Sequence, residues 1–488
     1  MPDNHLIDSG IFRAYDIRGI YPKSLSEKDS YAIGQAAAEQ LIKIRINNDY
    51  GVNQGIHQNG SAHIKAFPGK IIVACDSRLS SPGLKKALTE GILSSGIDVI
   101  DIGQATTPML YFAAIHWWIY SGIMVTGSHN PADYNGFKLV LAGETLANAS
   151  IQALYQRILA RKVLTESGPI KGQLTHKKID TDYLDAITND IKLQRKLKVV
   201  IDAGNGIAGP ITKALLTRLG CDLVDLYCEP DGHFPNHHPD PGKPENLREL
   251  MHTVTAQKAD IGLAFDGDGD RLGVVTDQGD MVFPDYLLML FAQYLLKDHP
   301  GSHIIFDVKC THLLAQQISA WGGKPEFYQT GHSLIKKHMK QTGAALAGEM
   351  SGHLFFADRW YGFDDGLYSA ARLLEILSGS KKTISQLLAH LPKLISTPEI
   401  NIRVTESEKF TLVKQLAEDS VLSQAGETIK IDGIRVNMDT GWGLVRASNT
   451  TPTLVLRFEA VNAGELKRIK QLFKDALLRV KDDLDLSF

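Results

Sequence analysis

The segment Asp266-Gly267-Asp268-Gly269-Asp270-Arg271 sets three carboxylates two residues apart, directly after the apolar run Ile261-Gly262-Leu263-Ala264-Phe265. Carboxylates so close repel one another unless a cation neutralises them. An all-oxygen ligand set suits a hard divalent ion such as Mg²⁺ better than zinc. Asp266, Asp268 and Asp270 are therefore candidate metal ligands, and the glycines between them let the backbone approach an ion closely. An EF-hand loop would need glycine at its sixth position and glutamate at its twelfth, where this chain has Arg271 and Asp277. The chain also turns apolar again at Leu272-Gly273-Val274-Val275, as the return strand of a hairpin would. An acidic hairpin turn without a metal is the remaining alternative.

Ser128 lies in Thr126-Gly127-Ser128-His129-Asn130-Pro131, a context that can hold a hydroxyl out of a turn towards a phosphoryl group or an acyl carbon. The same surroundings suit a plain turn-forming serine, and the glycine that a hydrolase nucleophile elbow needs two residues further on is absent. A metal loop in the same chain favours phosphoryl over acyl chemistry, because a hard cation neutralises charge on phosphoryl oxygens. Arg446-Ala447-Ser448-Asn449-Thr450-Thr451-Pro452 offers a guanidinium fork, hydroxyls and loop amides, which fit a phosphate dianion or an ordinary polar turn. Glu349, Ser351 and His353 alternate, so an extended loop would present them on one side, as recognition of sugar hydroxyls requires. Asp364-Asp365-Gly366 reads as a helix cap rather than a catalytic group.

These loops need strands to aim them. Apolar runs at Gly122 to Val125, Gly262 to Phe265 and Ala344 to Ala347 each end in one of the polar loops. In α/β sheets ligands gather outside the carboxyl ends of strands, so the three loops are expected to face a common cleft. β-branched runs alternate with helical patterns, as in Lys70 to Ala74, Ser81 to Ser94 and Ile97 to Ile100, which is the signature of an α/β fold. A second unit opens at Lys198-Val199-Val200-Ile201-Asp202, and a third begins near Asp280 and runs through the helix after Asp365-Gly366. From about Pro392 the pattern changes to that of a smaller α+β domain. Ala203-Gly204-Asn205-Gly206 reads as a tight turn between a strand and a helix at Pro210 to Leu219, with a phosphate-binding loop as the alternative. Ile44 to Phe67, polar and without periodicity, reads as an exposed insertion whose His57 and His63 are surface residues.

At 488 residues, 43% of them hydrophobic, the chain is long enough for three or four domains. Its 52 basic and 55 acidic residues give a net charge of −3, which excludes a broad electrostatic surface for nucleic acid or anionic membrane. Cys75, Cys221, Cys228 and Cys310 are scattered without ligand spacing, and no basic-then-apolar leader opens the chain, which points to a reducing, cytoplasmic setting. Met109 to Val125 carries no charge, but it contains His116 and is broken at Ser121-Gly122. It is read as a buried helix from Pro108 to Tyr120 and a strand from Gly122 to Thr126, not as a membrane span.

Together with the opening Phe12-Arg13-Ala14-Tyr15-Asp16-Ile17-Arg18-Gly19, the serine, metal, sugar and phosphate loops occur in the order that characterises the α-D-phosphohexomutases. The chain closely resembles that family, and within it the bacterial phosphomannomutase/phosphoglucomutase branch. The resemblance implies four domains around a cleft: 1–172 with the serine loop, 173–279 with the metal loop, 280–393 with the sugar loop, and a smaller 394–488 with the phosphate loop. It implies that Ser128 carries a phosphoryl group and completes the shell of an Mg²⁺ held by Asp266, Asp268 and Asp270. Hexose monophosphate would pass through a hexose 1,6-bisphosphate that reorients and returns its other phosphate to Ser128. Tyr15 and Arg18 would lie beside the substrate. His129, Lys138 and Arg271 would lie near the transferring phosphate. Lys309 and His332 would contact substrate and assist proton transfer. Glu349, Met350, Ser351, Gly352 and His353 would read the sugar, and Arg446, Ala447, Ser448, Asn449 and Thr450 would hold the phosphate that is not reacting. Met350 and the second metal-loop glycine suit the mannose/glucose branch better than the glucosamine branch. A phosphoglucosamine mutase, a metal-dependent serine phosphomonoesterase and a catalytically silent sugar-phosphate binder are the competing readings. The expected partners are hexose phosphates, with no nucleic acid or membrane, and the expected assembly is a monomer or weak homo-oligomer.

Overall fold

Short, fully buried β-branched runs become strands and amphipathic runs become helices along the chain. The computed structural model describes residues 7–52, 69–160, 171–449, 451–486 and 488. They form two compact units: Met1–Val282 with Ser351–Ser385, and Phe283–Met350 with Gln386–Phe488.

In the first unit, one sheet has the order Ile17–Ile20, Tyr134–Leu141, Gly122–Val125, Lys70–Cys75, Asp98–Gln104, Leu174–His176. The last four strands are parallel, and Tyr134–Leu141 runs antiparallel to both of its neighbours in that order. Gly122–Val125 is buried throughout, as expected of a central parallel strand, and delivers the Ser128 loop at its carboxyl end. The return strand places Lys138 opposite Met124. Helices Glu27–Val52 and Ser81–Ser94 cover one face and cross closely: a Cβ on Gly34 would stand 2.3 Å from the Leu88 carbonyl oxygen, and one on Gly91 would stand 2.1 Å from that of Tyr31. Only residues without a Cβ permit that approach.

Three local expectations are corrected here. The helix read as Pro108 to Tyr120 spans Thr107–His116, because Trp118 and Tyr120 take φ of 57° and 56° and leave the helical region. The following strand ends at Val125 rather than Thr126. The insertion read from Ile44 stays helical through Val52, while residues 53–68, with His57 and His63, lie outside the described residues. No described helix is long and apolar enough to cross a membrane.

The second sheet of this unit is ordered Met281–Val282, Leu272–Thr276, Ile261–Phe265, Lys198–Asp202, Asp222–Leu226. Ile261–Phe265 and Leu272–Thr276 form the anticipated hairpin, with Phe265 opposite Leu272 and the aspartate loop at its tip. The Ala203–Gly206 segment is a turn with positive φ at Gly204 and Asn205, and its helix starts at Ala208 rather than Pro210. Beside it, His237 Nε2 lies 3.0 Å from both oxygens of the buried Asp202. Burial works to lower the His237 pKa, but the Asp202 hydrogen bond and charge outweigh it and hold the imidazole above its ordinary value. A group whose pKa is raised by folding stabilises fully below its unfolded value and loses that contribution as pH rises through its folded value. His237→Gln is therefore expected to lower Tm more at pH 6 than at pH 9; an equal loss at both pH values would show that the imidazolium contributes nothing.

Asp365 caps helix Gly366–Ser378 as expected, accepting from Tyr368 N at 2.9 Å. Its carboxylate also accepts from the Tyr183 hydroxyl at 2.8 Å, so this helix packs within the first unit although it follows the third segment in sequence.

In the second unit, Lys324–Tyr328, His303–Asp307 and Leu346–Gly348 are parallel in that order. A second, antiparallel sheet runs Ile395–Ser396, Thr453–Ala460, Gly441–Ala447, Ile434–Met438, Glu427–Ile429, with Ile400–Arg403 also on Thr453–Ala460. The strands Ile395–Ser396 and Glu427–Ile429 are short and partly exposed, and their periodicity is correspondingly weak. The apolar face of helix Ala463–Val480 packs Ile469, Phe473 and Leu477 against Leu456 and Phe458. Two buried arginines from this sheet grip the chain that follows strand His303–Asp307. Arg435 Nη1 donates to the carbonyls of Val308 and Cys310 at 2.6 Å each, and Arg457 Nη1 donates to that of Lys309. Arg457 also pairs with Glu459 at 2.8 Å and Asp285 at 3.3 Å, and the Arg435 guanidinium stacks 3.8 Å from the Trp442 ring centroid. Burial lowers the Arg435 pKa to about 9.

Candidate active site

Ser128 is 2% exposed and adopts φ 49°, a left-handed conformation that an L-residue keeps only when its surroundings enforce it. Its Oγ donates to Asp266 Oδ2 at 2.8 Å and lies 3.2 Å from His129 Nδ1. Its amide donates to Thr126 Oγ1 at 2.8 Å, and that hydroxyl donates to Asp76 Oδ2 at 2.7 Å. Arg18, salt-bridged to Asp16, donates to the Gly127 carbonyl at 2.7 Å, and Tyr15 lies half-buried three residues before it. Arg78, completely buried, donates to the carbonyls of Ser128 at 2.7 Å, Asn130 at 2.6 Å and Tyr134 at 3.0 Å, and also to Pro131. His238 Nε2 meets the His129 carbonyl. The hairpin thus brings Asp266 to the end of a different sheet's strand, so the serine and metal loops meet as one site.

Asp266, Asp268 and Asp270 are all 0% exposed, and one oxygen from each lies within 4.8 Å of the others. Asp266 Oδ1 accepts from the amides of Asp270 at 3.1 Å and Arg271 at 3.2 Å, which curls the loop around it. Lys138 Nζ donates to Asp268 Oδ2 at 2.6 Å and to Asp270 Oδ2. The Thr107 hydroxyl also donates to Asp268. Burial first, and then Asp268 and Asp270, push the Asp266 carboxyl well above the usual carboxylate range. Burial and Asp270 act on Asp268 in the same direction, but Lys138 and Thr107 outweigh them and hold it low. Asp268 Oδ1 is buried with no hydrogen-bond partner. An anionic oxygen in that position calls for a cation, and the oxygen-only donor set fits a hard divalent metal.

Arg271 extends from the same loop, with Nη2 3.5 Å from His129 Nε2 and Nε 3.4 Å from His353 Nε2. His353 Nε2 is also 3.3 Å from Asp270 Oδ1, and its Nδ1 is 2.7 Å from Ser351 Oγ. Burial, followed by the charges of Arg271 and Arg18, lowers the His129 pKa well below its ordinary value. Gly352, at φ 93°, accepts through its carbonyl from Leu272 N at 3.1 Å, so the sugar-loop residues Ser351, Gly352 and His353 lie against the metal hairpin.

The remaining expected residues cluster in the second unit. Lys309 Nζ pairs with Glu399 at 2.7 Å and lies 3.9 Å from Asp307. Asp307, completely buried, accepts from Thr330 Oγ1 at 3.1 Å and from Met350 N at 3.3 Å. Glu349 accepts from Gly331 N at 2.6 Å, next to the buried His332. Arg446 donates through Nε to Asp432 at 2.9 Å, and Asp432 also accepts from Thr330 N at 3.0 Å. Ala447 and Ser448 are buried at the end of strand Gly441–Ala447, Asn449 follows in the turn, and Thr450 lies outside the described residues. Glu349 and Met350 fall in one unit and Ser351 to His353 in the other.

Sequence reasoning passed over Asp76, Arg78, Thr107 and His238 in the first unit, and Glu399 and Asp432 in the second. Asp76-Ser77-Arg78 directly follows strand Lys70–Cys75, so the carboxyl-end rule applied to that strand would have found it. His238 and Asp432 carry no such local signal.

Four successive segments match family descriptions: phosphoglucomutase/phosphomannomutase α/β/α domain I over residues 47–163, domain II over 181–279, domain III over 283–395, and the C-terminal domain over 399–476. A phosphomannomutase/phosphoglucomutase of Pseudomonas putida is 52% identical over 99% of this chain and 98% of its own length. A phosphoglucomutase of Neisseria gonorrhoeae is 48% identical over 96% of both chains. A solved structure of a phosphoglucomutase/phosphomannomutase family protein from Burkholderia thailandensis superposes with a TM-score of 0.88 at 45% identity, covering 99% of this chain and all of that one.

Proposed function

The chain belongs to the phosphoglucomutase/phosphomannomutase family, and from that premise we propose that it is a metal-dependent phosphohexomutase that exchanges phosphate between O6 and O1 of mannose and glucose phosphates. The observation that carries the reading is Ser128 Oγ, buried and 2.8 Å from Asp266 within a carboxylate trio that retains an orphaned Asp268 oxygen.

In this reading Ser128 carries the phosphoryl group. Its O–P bond breaks as a new O–P bond forms to the free hydroxyl of the sugar monophosphate, and the hydroxyl proton leaves to a neighbouring base. The hexose 1,6-bisphosphate so formed reorients, and its other phosphate returns to Ser128. Asp266, Asp268 and Asp270, with the phosphoserine, would hold Mg²⁺, which when bound offsets charge on the phosphoryl oxygens. Lys138 fixes two of these carboxylates, and Arg271 and His129 border the serine, where cationic and hydrogen-bonding groups stabilise developing charge. We assign substrate contacts to Tyr15, Arg18, Lys309 and His332. Recognition of sugar hydroxyls is assigned to Glu349, Ser351 and His353, aided by Met350 and Gly352. The unreactive phosphate is assigned to Arg446, Ala447, Ser448, Asn449 and Thr450. The domain limits 1–172, 173–279, 280–393 and 394–488, a cytoplasmic setting and a monomeric or weakly associating state belong to the same proposal.

The test is a coupled assay on mannose 1-phosphate, glucose 1-phosphate and glucosamine 1-phosphate with Mg²⁺, with and without a hexose 1,6-bisphosphate, while free phosphate is followed. Conversion of the first two to 6-phosphates, stimulated by bisphosphate and without phosphate release, is the expected result. Preference for the amino sugar would move the assignment to a phosphoglucosamine mutase, and phosphate release without isomerisation would make the protein a phosphomonoesterase.

A further inference from the structure

We propose that Arg78, aimed by Asp76, is a positioning residue for the Ser128 loop, turning its carbonyls away from the reacting oxygen and holding Oγ on the line of phosphoryl transfer. This rests on Ser128 being the phosphoryl carrier. The carbonyls of five consecutive residues, Gly127 to Pro131, all accept from side chains: Arg18 takes Gly127, Arg78 takes Ser128, Asn130 and Pro131, and His238 takes His129. Arg78 supplies three of the five and reaches on to Tyr134 at 3.0 Å. A planar guanidinium with its donors in one fork can serve four acceptors around a turn; an ammonium, with three donors at a single point, cannot span them.

Two consequences follow from the chemistry. A phosphoryl group carries nearly two negative charges, so carbonyl lone pairs facing it would be repulsive. With those lone pairs engaged by Arg78, the loop can approach the phosphate. Ser128 also sits at φ 49°, and donors on its own carbonyl and on that of Asn130 hold the turn that imposes this conformation. Asp76 completes the device. Its Oδ2 lies 3.3 Å from Arg78 Nε and accepts from Thr126 Oγ1 and from Gly127 N at 3.1 Å, while Oδ1 accepts from Arg78 N at 3.1 Å. Space is reserved as well, because a Cβ on Gly127 would stand 2.4 Å from the Arg78 guanidinium carbon.

The experiment prepares the full chain, Arg78→Lys and Asp76→Asn, each phosphorylated by incubation with hexose 1,6-bisphosphate. Intact mass gives the phosphate per chain, ³¹P NMR gives the phosphoserine environment, and rapid quench gives transfer to a sugar monophosphate. The expected result for folded Arg78→Lys is a transfer rate and kcat lower by about 10- to 100-fold, KM within about threefold, and a shifted ³¹P resonance. Asp76→Asn should show a smaller loss of the same kind, and it carries the test if Arg78→Lys does not fold. A folded variant with the unaltered transfer rate and resonance overturns the proposal. So does a kcat loss no larger than the unfolded fraction in a thermal melt. Absence of phosphate on Ser128 in the unaltered chain would instead remove the nucleophile assignment, and this proposal with it.

Discussion

Ser128→Ala is expected to lower kcat by on the order of 10⁴-fold or more while the dissociation constant for hexose monophosphate stays within a few-fold. The loss is large because the residues flanking Ser128 offer no free hydroxyl in its place. The Thr126 hydroxyl already donates to Asp76, and His129 offers no hydroxyl. Alanine can keep the left-handed φ at a strain similar to that of serine, since both have an unbranched Cβ, so the loop should survive the change. Asp266 Oδ2 would lose one donor but keep its place, because its other oxygen accepts two backbone amides. Binding measured by calorimetry and phosphate content by intact mass separate the effects. Near-normal turnover by the variant in the presence of hexose 1,6-bisphosphate would show that Ser128 is not the phosphoryl carrier.

Asp268→Asn is expected to reduce turnover by on the order of 10² to 10³-fold and to blunt the response to Mg²⁺. The carboxylates are held by groups of the chain itself: Lys138 compensates Asp268 and Asp270, Thr107 donates to Asp268, and Asp266 accepts two amides. Asp268 Oδ1 combines full burial, negative charge and no hydrogen-bond partner, whereas Asp270 Oδ1 has His353 Nε2 3.3 Å away. Replacing that carboxylate by a neutral amide removes the charge while preserving shape. An ion that binds the folded state raises Tm by mass action, so Mg²⁺ should raise the Tm of the unaltered protein and raise that of Asp268→Asn less. Equal Mg²⁺-induced shifts in the two proteins, together with undiminished activity after chelation, would rule out the trio as the metal site.

The local parts of this site could be read in the sequence because they are local. Three aspartates on a hairpin tip, a serine after a buried strand and an arginine beside hydroxyls each declare themselves within a few residues, and the hairpin closed at Phe265 and Leu272 as its apolar flanks required. What was missed is assembled over distance. Arg78 reaches carbonyls 50 to 56 positions away in the chain, and Thr107 reaches Asp268 across 161. The place of Arg78 just after a strand was local, but the groups it reaches follow from how strands are ordered in a sheet, which no window of sequence contains. Boundaries failed for a related reason: the end of helix Thr107–His116 is set by residues at positive φ that carry no glycine or asparagine to announce them.

The grip of Arg435 and Arg457 on residues 308 to 310 bears on how modular the chain is. Four matched segments invite the idea of exchangeable parts, with a cut or a chimaeric junction between 395 and 399. At that junction the two segments are joined through buried polar groups. The carbonyls of Val308, Lys309 and Cys310 take their donors from the last segment, and buried Asp285 takes its counter-ion from Arg457. A graft of the C-terminal segment would have to meet an acid at 285 and a backbone at 308–310 that presents its three carbonyls in the same way, so the turn holding Lys309 takes its shape from residues more than a hundred positions further along the chain.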